Sequence, residues 1–97
     1  MRGLKRPRAL EVIVTADDLG ICAARNRGIA EAARAGAVSA ASLLANGPAV
    51  RGAVRTFVAD GNAALLGVHL NFTQGRALSP AERIPTLLGD GALFLGA

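Results

Sequence analysis

The sequence predicts an α/β protein whose strands lie parallel in one sheet. Two observations carry that expectation. Short β-branched or apolar runs alternate with stretches of helical periodicity, in the order β-α-β-α-β-loop, and Gly or Pro marks most junctions. The composition, 52% hydrophobic and only 19% charged, excludes a disordered chain. Strands separated by helices of this length imply right-handed crossovers and a parallel sheet.

Each element has its own signal. Residues 11–16, Glu11-Val-Ile-Val-Thr15-Ala16, read as the first strand, and 17–20 as the loop that ends it. Residues 21–35 read as a helix with Ile21, Gly28, Ile29, Ala32 and Ala33 on its small-residue face. Arg27, Glu31 and Arg34 make its charged outer face. Gly36 suits the left-handed position after a helix end. Residues 38–45 read as a second, buried strand. Asn46-Gly47-Pro48 is a turn that starts a helix, with Pro48 near the first helical position. Val50, Ala53, Val54, Phe57 and Val58 form its apolar stripe, and Asp60-Gly61 ends it. Residues 65–72 are the third strand. A Gly- and Pro-containing loop follows, with one helical turn at Ile84 to Leu88 and a tight turn at Gly89-Asp90-Gly91.

The formal charge of +4 resides in the arm, residues 1–8, through Arg2, Lys5, Arg6 and Arg8. Such a tail reads as a solvated terminus. With 3% aromatic residues the chain lacks the usual base-stacking platform, so no nucleic-acid partner is expected. Cys22 is the only cysteine, which rules out an intrachain disulfide and a thiolate metal cluster and fits a reducing compartment. The apolar run after the arm is broken by Glu11 and ends in Asp17-Asp18, a poor signal peptide. No stretch is long enough to span a bilayer. The expected location is the cytoplasm, with no membrane partner.

In parallel α/β folds ligands collect at the C-terminal ends of the strands. Asp17 and Asp18 fall there, and two carboxylates at a strand end can reach one site from different directions, one toward a cation and one toward a proton. The plainer reading is a helix N-cap. His69 is the only histidine, near the end of the third strand. Alternation places Leu66, Val68 and Leu70 on a face that suits a helix layer, with Leu65, Gly67, His69 and Asn71 opposite. Neutral imidazole is a common metal donor. Asn46 follows the second strand, where it faces the same mouth or simply forms the turn before Pro48. Asn71, Gln74 and Arg76 suit a polar ligand or a solvated loop. Cys22 reads as a small helix residue. A dinucleotide-binding turn is a poor match: only Gly20 is available, and Asp17 and Asp18 would repel phosphate.

The chain resembles the YdjC/ChbG family of carbohydrate deacetylases. The matching stretches are Thr15 to Gly20, Asn26 to Ile29, Ser42 to Pro48, Gly67 to Leu70, Thr73 to Leu78, Ile84-Pro85 and Gly89 to Phe94, in the family's order. The resemblance implies a parallel (βα) barrel-type fold, here only the first three or so βα units, since a full barrel takes roughly 250 residues. Residues 9–97 are then the incomplete N-terminal part of that barrel domain. It also implies Asp17 as general base and Asp18 and His69 as ligands of one divalent metal; Asn46 and Asn71, by their positions after the second and third strands, are the candidate substrate-binding residues. Magnesium is the first choice of metal and zinc the second. The implied reaction is hydrolysis of an N-acetyl group on an amino sugar or chito-oligosaccharide. The family's second ligand histidine has no counterpart after His69, so this chain by itself is expected to bind metal weakly and to be inactive. An unpaired strand edge favours a homo-oligomer. The alternatives are a truncated, non-catalytic remnant or partner-binding fragment, and, further off, a nucleotide-binding domain.

Overall fold

A computed structural model describes Gly3 and residues 5–96. Residues 1, 2 and 4 of the expected basic arm lie outside the described residues, while Lys5, Arg6 and Arg8 are exposed. Three parallel strands, β1 (Thr15–Leu19), β2 (Ala40–Leu44) and β3 (Leu66–His69), lie in the order β1-β2-β3. They are joined by α1 (Ala23–Arg34) and α2 (Val50–Ala59). The α/β architecture and the parallel sheet are therefore as expected.

Strand lengths differ from expectation because a strand extends only as far as its partner. β1 does not cover residues 11–16. Pairing begins at Val14, whose carbonyl accepts from the amides of Ser39 and Ala40. Val12 and Ile13 lie beyond the start of β2 and are exposed. At the other end β1 runs on through Asp17 and Asp18, which the sequence assigns to a loop. β3 stops at His69, opposite Leu44, the last residue of β2. Leu65 belongs to the 3-10 turn Ala63–Leu65 instead.

Register decides the two faces. Ala16, Ala41 and Leu66 are paired neighbours on one face, followed by Leu43. They pack with Leu19, Ile29, Ala30, Ala33, Ala53 and Phe57 into the core, so both helices cover this face. Ser42, Gly67 and His69 occupy the other face. Val68 shares the helix-covered parity with Leu66 but is 75% exposed, and Leu70 is 74% exposed. No helix among the described residues covers that edge.

The buried stripe of α1 is Ile29, Ala30 and Ala33, with Asn26 half-buried; Gly28 and Ile21 are exposed. Asn26 explains the rotation from the expected face. Its Oδ1 accepts from the Gly20 amide at 2.8 Å and its Nδ2 donates to the Ala49 carbonyl at 2.9 Å. A polar side chain anchored at both ends outweighs the small gain from burying a glycine. Arg34 on the charged face pairs with Asp60, the C-cap of α2, at 2.7 Å. On α2, Ala53 and Phe57 are buried as expected, but Val58 is 58% exposed. Pro48 precedes the N-cap Ala49 rather than opening the helix. Gly36 and Gly61 take the left-handed conformation after α1 and α2.

The loops after β1 and β2 meet backbone to backbone. The Ala49 amide donates to the Gly20 carbonyl at 2.8 Å. A Cβ built on Gly47 would lie 2.3 Å from that same oxygen. Gly47→Ala is therefore expected to cost about 1–3 kcal/mol by forcing the two loops apart. A denaturant midpoint unchanged from wild type would show that the loops yield freely.

Candidate active site

Strict alternation would send Asp17 and Asp18 to opposite faces of the sheet. The structure avoids this with an irregularity in β1. Register shifts between Ala16 and Leu19, and Asp18 has φ of +63°. A non-glycine residue rarely adopts that conformation, and Asp is among the types that tolerate it. The bulge brings Asp18 round to the face that Asp17 already occupies. Leu19 then returns to the core, fully buried.

The three residues expected to carry chemistry meet there. Asp18 Oδ1 lies 3.3 Å from His69 Nδ1, although 51 positions separate the residues. Asp17 Oδ1 accepts a 2.7 Å hydrogen bond from the Ser42 hydroxyl, and the same Oγ is 3.3 Å from His69 Nδ1. Arg25, in the first turn of α1, places Nη1 3.6 Å from Asp18 Oδ2 and offsets part of the charge of two adjacent carboxylates. The cluster is half-open: the Asp18 and His69 side chains are 39% and 33% exposed. Neither aspartate caps a helix. Cys22 is the N-cap of α1, its Sγ accepting from the Arg25 amide at 3.5 Å.

Asn46 and Asn71 stand at the same end of the sheet and bind each other, Nδ2 of Asn71 donating to Oδ1 of Asn46 at 2.9 Å. Asn46 Nδ2 also donates to the carbonyls of Gln74 and Arg76. Asn71 Oδ1 accepts from the amides of Thr73 and Gln74. Their amides thus brace the loop after β3 against the turn after β2. That loop is closed by isolated antiparallel bridges, Arg76 with Leu93 and Leu88 with Phe94.

Two site features escaped the sequence reading. Ser42 sits inside the motif Ser42 to Pro48, yet a serine in a strand carries no chemical signal until its neighbours are known. Arg25 read only as a helix residue.

The donor chemistry suits a divalent cation. A carboxylate oxygen and an imidazole nitrogen face each other across 3.3 Å. Carboxylate oxygen and neutral imidazole nitrogen are both donors that divalent cations accept. The Ser42 proton is committed to Asp17 and His69 Nδ1 accepts from the Asp18 backbone amide at 3.4 Å, so the 3.3 Å approach of Ser42 Oγ to Nδ1 is a close contact without a proton between them. Among the described residues no group of three or more His, Cys, Asp or Glu side chains is placed to enclose a metal.

The chain is thus a parallel α/β sheet with helices on one face and a cluster of two aspartates, a serine and a histidine on the other. The family model described as YdjC-like protein matches residues 11–96, and the chain belongs to that family. A carbohydrate deacetylase from Homo sapiens is 44% identical over 94 residues, covering 96% of this chain and 28% of that protein. Proteins of the same description from Mus musculus and Danio rerio are 40% and 34% identical over 90% of the chain. A crystal structure from Enterococcus faecalis, of a candidate cellobiose-phosphate cleavage protein, matches with a TM-score of 0.78 and 29% identity. The match covers 87% of this chain and 33% of that one. The chain thus spans about a third or less of the length of the relatives it matches. No helix among the described residues is long and apolar enough to cross a membrane.

Proposed function

We propose that this chain supplies the base and two of the metal donors of a metal-dependent carbohydrate deacetylase acting in the cytoplasm. The observation that carries the reading is the convergence of Asp17, Asp18 and His69 on the uncovered face of the sheet. Asp18 and His69 would hold the cation, magnesium before zinc. A divalent cation at this position supplies Lewis acidity, polarising an amide carbonyl and favouring water as a nucleophile at neutral pH. Asp17 accepts the proton of the attacking water. Passing that proton from Asp17 to the leaving nitrogen breaks the C–N bond of an N-acetyl amino sugar, yields acetate and a free amine, and restores the carboxylate. Asn46 and Asn71 contribute to saccharide binding through the loop they brace. Arg25 limits the repulsion between the carboxylates.

The test uses the complete gene product. Acetate release from acetylated chito-oligosaccharides is expected to stop on chelation and to return on adding back magnesium or zinc. Activity that survives chelation rejects the reading. The two-donor set favours a second reading for the 97-residue chain taken by itself: a segment that binds cation weakly and does not turn over substrate, since a mononuclear site wants three protein ligands. Weak calorimetric binding by this chain beside tight binding by a longer gene product separates the two.

A further inference from the structure

Ser42 lies at the centre of the cluster. Its hydroxyl makes the shortest polar contact there, 2.7 Å to Asp17 Oδ1. A hydroxyl has one proton, and this one points at the carboxylate. Ser42 is half-buried in β2, the central strand, and is held by ladders on both sides. Asp17 is exposed, and among the described residues the Ser42 hydroxyl is the one side-chain partner of its carboxylate. We propose that Ser42 is a positioning residue for the base: its hydroxyl pins Asp17 Oδ1 and leaves Oδ2 free to take the proton of water. This rests on the deacetylase reading for its consequence, though not for its geometry.

The position also explains its neighbour. Gly67 is the register partner of Ser42 on β3, and a Cβ there would meet only the Ala41 carbonyl, at 3.8 Å. Gly67 therefore presents no side chain to Ser42 from β3, and Ser42→Thr retains the hydroxyl beside that open neighbour.

The experiment compares wild type, Ser42→Ala and Ser42→Thr in the complete gene product. Ser42→Ala is expected to lower kcat about 10- to 100-fold, the scale of a misplaced catalytic group, with KM unchanged. Ser42→Thr restores kcat to within about threefold of wild type. Magnesium and zinc affinities, read by calorimetry, fall by less than about threefold in both variants, because Ser42 touches His69 only through the 3.3 Å approach of Oγ to Nδ1 and is not itself one of the two proposed donors. Crystal structures supply a readout independent of turnover: the Asp17 carboxylate leaves its position in Ser42→Ala and keeps it in Ser42→Thr. An unmoved Asp17 in Ser42→Ala overturns the proposal, and so does a fall in metal affinity matching the fall in kcat. A wild type that releases no acetate rejects the deacetylase reading instead, and the crystallographic comparison still decides what Ser42 does.

Discussion

Asp17→Asn is expected to lower acetate release about 10²- to 10⁴-fold, the range contributed by a positioned general base. The amide has the shape of the carboxylate. Its oxygen can still accept from Ser42, whose Oγ lies 2.7 Å away. What it cannot do is take up a proton near neutral pH. Cation binding should persist, because the residues facing each other across 3.3 Å are Asp18 and His69. Asp18→Ala is the contrast: activity and cation affinity should fall together. Initial rates of acetate release and calorimetric titration of each variant make the check. If Asp17→Asn keeps more than about a tenth of the wild-type rate, the base lies elsewhere and the assignment is wrong.

The second large effect concerns the core. Phe57→Ala should cost about 3–5 kcal/mol. Only eight hydrophobic residues among those described are buried, and four of them are alanines. Phe57 and Leu19 are the largest fully buried side chains. Small neighbours cannot collapse into the space an aromatic ring leaves, so a cavity remains. Typical domains have only about 5–15 kcal/mol of total stability, so the loss should move the urea midpoint far or abolish a cooperative transition. Val58→Ala, one position along the same helix and 58% exposed, should change stability by less than about 0.5 kcal/mol. A Phe57→Ala cost no larger than that of Val58→Ala would show that this cluster is not the core.

Leu19 links that core to the site. It follows the bulge at Asp18 directly and is completely buried. Burying Leu19 on the helix side while both aspartates face the other way requires the left-handed residue between them. The strain at Asp18 is thus tied to core packing, and the site depends on the same side chain that helps hold the sheet to its helices.

The amino-acid pattern alone determined the element order, the parallel sheet and the glycine ends of both helices, and it singled out Asp17, Asp18 and His69 as the candidate site. Those are local signals: periodicity, turn residues and rare polar groups at strand ends. The lengths of β1 and β3, the rotation of α1 by Asn26, the bulge at Asp18 and the part played by Ser42 were decided only by tertiary structure. The physical reason is distance along the chain. A strand ends where its partner ends, and a hydroxyl gains its role from a carboxylate 25 positions away. No window of sequence periodicity contains both.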